Sequence, residues 1–316
     1  MTPGQPQSAV DPADRAAAER YDRSAQAAAA TVISRYSTSF GLACRLLGSS
    51  VRTHVRSVYA LVRVADEIVD GASAGSGVAP HEAQQLLDDL EVETLAAIDR
   101  GFSTNLVVHA FALAAREGDI GADLITPFFA SMRADLGVDT HSDASLQEYV
   151  YGSAEVVGLM CLQLFLAADP VDADTRSELT AGARQLGAAF QKVNFLRDLS
   201  EDYQSLGRVY LPGADPQALS QASKDDFLDQ IDADLAAARA VIPQLPANGR
   251  TAVLVAHDLF AELALRLRHT PAADLLTSRV RIPDTRKLVL VARAMVSANT
   301  PTARGVARLQ GRNGSA

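Results

Sequence analysis

The segment Tyr59–Asp70, YALVRVADEIVD, restricts the folds open to this chain more than any other. An α-helix advances about 100° per residue, so Tyr59, Arg63, Asp66 and Asp70 fall on one face about 60° wide. Nearly everything between them is apolar: Ala60, Leu61, Val62, Val64, Ala65, Ile68 and Val69. A surface helix has the reverse balance, a broad polar face with one apolar stripe. The segment is therefore read as a helix buried on most sides, its charged line turned toward a cavity. Carboxylates isolated in such surroundings are costly unless paired or metal-bound. An Arg63–Asp66 pair at i,i+3 would account for one of them. It leaves Asp70 over.

A second row lies in Gln191–Pro212, QKVNFLRDLSEDYQSLGRVYLP, where Asn194, Asp198 and Asp202 recur every four residues. With Gln191 they occupy a helical sector of about 80°. Alone, such a row equally suits a solvated face. Paired with the first, it points to two helices presenting oxygen ligands to a shared space.

The remaining chain reads as helix throughout. Helical patterns cover 13–34, 81–99, 104–117, 124–136, 145–168, 172–205, 224–241, 247–267 and 284–298, and no strand alternation, internal repeat or Gly-rich nucleotide fingerprint interrupts them. With 316 residues and 48% hydrophobic composition, an all-α single domain over 15–299 is expected, between a disordered N-terminus (1–14) and a flexible tail (300–316). The loop 71–80, GASAGSGVAP, follows the first row and is flexible by composition. The apolar run 156–168 falls short of the roughly 18 residues of a membrane span and reads as a core helix.

Charge and cysteine usage narrow the function. A net charge of −9 leaves no basic stripe to follow a phosphate backbone, which excludes a general nucleic-acid binder. Cys44 and Cys161 sit in apolar sequence without C-x-x-C spacing and read as buried thiols of a cytoplasmic protein. The six histidines form no H-E-x-x-H pattern. No Ser or Cys nucleophile with a base is apparent.

Mg²⁺ is usually held by one or two carboxylates together with substrate phosphates. Two facing helices with spaced aspartates therefore suit a metal-bridged diphosphate better than a closed metal cage. Arg63, Lys192, Arg197, Arg208, Arg279 and Arg281 supply cations for the remaining phosphate charge. The reaction implied is metal-assisted departure of diphosphate, leaving an electron-poor carbon in an apolar pocket.

Four blocks, Ser37-Thr38-Ser39-Phe40, YALVRVADEIVD, Tyr149-Val150-Tyr151-Gly152 with Val157-Gly158, and QKVNFLRDLSEDYQSLGRVYLP, resemble the phytoene/squalene synthase family from about Ser37 to about Arg293. The resemblance implies an isoprenoid synthase helical bundle around a central cavity. It implies Mg²⁺ dependence, with Mn²⁺ as a substitute, and the joining of two allylic diphosphates through a cyclopropyl diphosphate. By motif position Asp66 and Asp70 resemble one metal-binding pair, and Asn194, Asp198 and Asp202 the second set. Ser37, Ser39, Tyr59, Arg63, Gln191 and Arg197 match positions at the diphosphate, Tyr149 matches a cavity tyrosine, and Arg279 resembles a late diphosphate-binding arginine. Asp66, Asp70, Asp198, Asp202 and Tyr149 are the expected catalytic set.

Within the family the reading favoured is 15-cis-phytoene synthase, using two geranylgeranyl diphosphates and no NADPH. Farnesyl diphosphate, giving presqualene diphosphate, squalene or dehydrosqualene, is the alternative. A chain-elongating prenyltransferase, a terpene cyclase and a non-catalytic helical assembly factor remain as readings of other classes. A lipid product implies peripheral membrane contact for its release. Two residues depart from the family pattern, Glu155 in place of a small residue and Phe260 in place of a tyrosine. Glu155 is expected off the cavity wall, paired with a cation, and Phe260 near the diphosphate end.

Overall fold

A computed structural model describes residues 11–37, 39–137, 142–201 and 219–298, and among these every regular element is helical. Helix α1 (Pro12–Tyr36) starts where the Asp11 side chain accepts the Ala13 amide at 2.8 Å and Pro12 presets the first turn. The boundary expected at residue 14 thus falls inside a helix. Its alanines Ala25 and Ala29 are fully buried against Ala60 and Ala110, so small side chains bring three backbones close together. Those partners belong to α3 (Ser49–Asp70) and α6 (Leu106–Gly118), the latter capped by the Asn105 side chain.

A short α2 (Ser39–Cys44) precedes α3, and a single turn, α4 (Ala72–Gly75), forms inside the loop expected to be irregular. Outside these lie α5 (Pro80–Arg100) and α7 (Ala122–Ala134), the latter placing Phe128 and Phe129 in the core. No residue of α3 from Val51 to Val69 is exposed, as its composition requires.

The helix 143–168 is continuous but not uniform: α8 (Asp143–Val150) passes through a π-helical turn, Tyr151–Glu155, into α9 (Val156–Ala168). This continuity is what the apolar run 156–168, read alone, lacked. The combined 26 residues are long and apolar enough to cross a membrane by length and composition, yet here they form an inner wall of the bundle. The wall continues in α10 (Ala173–Glu201), α11 (Gln221–Val241) and α12 (Ala247–His269). A one-turn α13 (Ala272–Leu275) leads to α14 (Asp284–Ala298), which packs on α12.

Where α9 and α10 cross, backbone meets backbone. A methyl on Gly187 would lie 2.7 Å from the Ala154 carbonyl oxygen, and one on Gly158 would lie 2.8 Å from that of Ala183. Only glycine at both places permits this approach.

Candidate active site

Helices α3, α9, α10 and α12 enclose an apolar cavity of about 230 Å³. On α3 the wall is made by Val55 and Val62, and one turn further along the same face stands Asp66. On α10 the wall runs from Leu179 to Phe190, and the next turns carry Asn194 and Asp198. Both helices therefore change from apolar to acidic in the same direction. The two rows lie at one end of the cavity.

The α3 row is electrostatically crowded. Burial first, then the neighbouring Asp70 carboxylate, with Asp135 and Glu67 adding to it, pushes Asp66 from 3.8 up to about 7; Arg63 pulls the other way without cancelling them. Arg63 is paired with Glu67 rather than with Asp66 as sequence spacing invited, and its guanidinium lies 4.4 Å from the centre of the Tyr36 ring. Its Nε is buried and accepted by no group. Tyr59 stacks on Phe40 at 5.5 Å, shares a hydrogen bond with Ser37, and has its hydroxyl pKa raised by burial. Ser37 also accepts the Phe40 amide at 3.1 Å, so the serine caps α2 and orders Tyr59 at once. Ser39 opens α2.

The α10 row has a different character. Asp198 is held by the Arg197 guanidinium and by Arg279, whose Nε stands 2.8 Å from its Oδ1. Asn194 Oδ1 is buried without a hydrogen-bond donor. Gln191 is half-buried beside the cavity residue Phe190. Lys192, counted from sequence among the cations of the site, instead reaches Asp234 on α11 at 2.8 Å. Asp202 and Arg208 lie outside the described residues.

Tyr149 connects the rows. Its hydroxyl donates to Asp135 Oδ2 at 3.0 Å, and its ring lies 6.1 Å from Phe195 on α10, while Asp135 bears on Asp66 across from α3. Asp135 is 8% exposed at the C-terminal end of α7 and was not singled out from the sequence, where it reads as an ordinary helix-end residue. A signal for Glu67 existed in its i,i+4 spacing from Arg63; none existed for Asp135.

Of the two departures from the family pattern, Glu155 lies as expected, off the cavity wall and paired with a cation. Glu155 is not among the cavity-lining residues and takes the Arg184 Nε at 2.6 Å. Phe260 stacks on Phe190, ring centres 3.7 Å apart, at the end of the cavity nearest the acidic rows. Cys44 and Cys161 line the cavity, and burial pushes each thiol up to about 12, so both remain protonated.

The donors fit a hard divalent cation. They are all oxygen, one of them, Asn194 Oδ1, lacks any protein donor, and Asp66 carries a carboxylate that its neighbours discourage from ionising. Among the described residues no three His, Cys, Asp or Glu side chains gather tightly enough to hold a metal unaided. A cation shared with substrate phosphates needs no such group.

The sequence model of the family described as squalene/phytoene synthase matches residues 33–286. A 15-cis-phytoene synthase of Paracoccus sp. is 28% identical over 255 residues, covering 75% of this chain and 80% of the relative. A 4,4'-diapophytoene synthase of Staphylococcus haemolyticus is 28% identical over 184 residues, 58% of this chain and 60% of the relative. Among solved structures, a dehydrosqualene synthase in complex with ligand superposes with a TM-score of 0.72 at 24% identity, covering 88% of this chain and 98% of that one.

Proposed function

This chain belongs to the squalene/phytoene synthase family of prenyl-transferring enzymes, and from that premise we propose that it is a 15-cis-phytoene synthase. It would join two geranylgeranyl diphosphates head to head through prephytoene diphosphate, release two diphosphates, and use no NADPH. The observation that carries this reading is the change from apolar to acidic along α3 and α10, which sets a hydrocarbon cavity under an anion-and-cation site. The Paracoccus relative supports the C20 substrate. The Staphylococcus relative, at the same identity, supports the C15 alternative, farnesyl diphosphate.

Asp66, Asp70, Asn194 and Asp198, with Asp202 by motif position, would hold Mg²⁺. When bound, Mg²⁺ neutralises diphosphate oxygens and stabilises the departing group. Arg63, with an Nε that has no acceptor, and Arg197 and Arg279, now spent on Asp198, are the cations that would receive diphosphate. Tyr59, ordered by Ser37 and Phe40, stands at the junction of site and cavity. Tyr149 keeps its proton committed to Asp135, which fixes the phenol at the acidic end. Below them Val62, Val157, Cys161 and Phe190 keep water from the reacting carbons, and the protonated thiols offer no thiolate to trap a cation. On this reading the enzyme works in the cytoplasm, in peripheral contact with a membrane that receives the hydrocarbon.

The test is incubation of purified protein with Mg²⁺ and either geranylgeranyl or farnesyl diphosphate, followed by identification of the hydrocarbon. Phytoene from the C20 substrate, abolished by EDTA, is expected. A C30 product made from farnesyl diphosphate alone would establish the alternative, and full turnover in excess EDTA would refute the metal assignment.

A further inference from the structure

Helix α7 grips one residue of the site at two points. Pro127 and Ser131, with Asp135 keeping helical dihedrals at the C-terminal end, recur every four residues and share one face. The first two press on the π-turn: a methyl on Gly152 would lie 2.2 Å from both the Pro127 carbonyl oxygen and Ser131 Oγ. Ser131 Oγ donates to the Tyr149 carbonyl at 3.1 Å, and one turn further along Asp135 Oδ2 accepts the Tyr149 hydroxyl at 3.0 Å. Main chain and phenol of Tyr149 are thereby tied to the same helix.

The place so held is the junction of the two parts of the site. Ser153, Val157 and Cys161 line the cavity from the same helical row as Tyr149, which stands one turn beyond them. On α3 and α10 the turns that follow the cavity residues Val62 and Phe190 carry Asp66 and Asn194. The phenol is 6% exposed there, and the charge of its partner Asp135 reaches Asp66.

A phenol at this point can give its proton to a departing oxygen or keep it. The bond to Asp135 decides between the two, because a hydroxyl has one proton and a carboxylate is a strong acceptor for it. What remains for the reacting carbons is the ring and the oxygen lone pairs, both of which attract a cation.

We propose that Asp135 is a positioning residue for the reaction, holding the Tyr149 phenol beside the acidic rows with its proton turned away from the substrate. This role rests on the diphosphate-releasing function proposed above and is the same for either substrate length. Diphosphate release in Mg²⁺ is to be measured with geranylgeranyl and with farnesyl diphosphate for wild type, Asp135→Ala, Asp135→Asn, Tyr149→Phe and the double variant Asp135→Ala with Tyr149→Phe. Asp135→Ala should lower kcat by about 10- to 100-fold and change KM by less than about threefold. Asp135→Asn loses the charge but keeps an oxygen that accepts the phenol, and should stay within about fivefold of wild type. In the Tyr149→Phe background, Asp135→Ala should lower kcat by no more than about twofold.

Near-ultraviolet circular dichroism gives a reading without turnover, since the chain has seven tyrosines and no tryptophan. The Tyr149 contribution, taken as wild type minus Tyr149→Phe, should be lost in Asp135→Ala and kept in Asp135→Asn. Equal losses of kcat in the alanine and asparagine variants would make Asp135 a charge acting on Asp66 and overturn the proposal. Additive losses in the double variant, or an alanine variant without helical far-ultraviolet dichroism, overturn it as well. Wild-type turnover that Asp135→Ala retains refutes this role alone; a wild type that releases diphosphate from neither substrate refutes the proposed function and this role with it.

Discussion

Replacing Asp66 by asparagine should stabilise the metal-free protein by an amount that depends on pH. The ordinary aspartate value of 3.8 describes the unfolded chain, and about 7 describes the folded one. Between those values the folded protein keeps a proton that the unfolded chain has released. Its stability therefore falls as pH rises from about 4 to about 7 and is level above that. At about 1.4 kcal/mol per pH unit the full difference is on the order of 4 kcal/mol, an upper bound because the side chain is only partly shielded from water. Asp66→Asn removes this dependence. Urea unfolding in EDTA, followed by circular dichroism from about pH 5 to about pH 8, reads it as a gap in midpoint that widens with pH and stops widening near neutrality. Mg²⁺ with inorganic diphosphate should then raise the wild-type midpoint and leave the variant little changed. A gap independent of pH, or a variant less stable than wild type above neutrality, would refute the burial and carboxylate crowding that raise Asp66.

Three further substitutions test the surroundings. Glu155→Gln loses the charge opposite Arg184, half of whose side chain is exposed, and should cost less than about 1 kcal/mol in thermal or urea unfolding without changing the hydrocarbon made. Phe260→Tyr keeps the ring on Phe190 and should alter KM while leaving product length alone; a change between C40 and C30 would show that the position sets chain length. Gly187→Ala drives a methyl to within 2.9 Å of Glu155 Cα and should destabilise the fold by about 1–3 kcal/mol, an effect that an unchanged melting temperature would disprove.

The helical frame was legible because helical period and composition agree. Tyr59–Asp70 is too apolar for a surface helix, and the structure leaves nothing exposed from Val51 to Val69. The Glu155 ion pair was legible for a similar reason, since a carboxylate without a partner cannot sit on a hydrocarbon wall. What the sequence does not carry arises only on folding. Asp135 acquires its place beside Asp66 through the packing of α7 on the bundle, and nothing local distinguishes it. Lys192 lies on the same helix as the second row but faces α11, where it reaches Asp234, a partner its place in sequence does not reveal. The π-turn at 151–155 has no sequence signature; α10 lies against its backbone through Gly187, and α7 through Pro127 beside Gly152.

The crossing at Gly158 and Gly187 fixes more than a distance. There the distance between α9 and α10 is set by main chain lying on main chain, so no side chain added at Gly158 or Gly187 fits without prising the helices apart. The opposite end, bounded by Leu47, Phe165, Leu179 and Leu245, is walled by side chains that can be lengthened or trimmed singly. Variation in chain length among descendants of this scaffold has an easy route at the far end, while the backbone crossing holds the two walls in register beside the acidic rows.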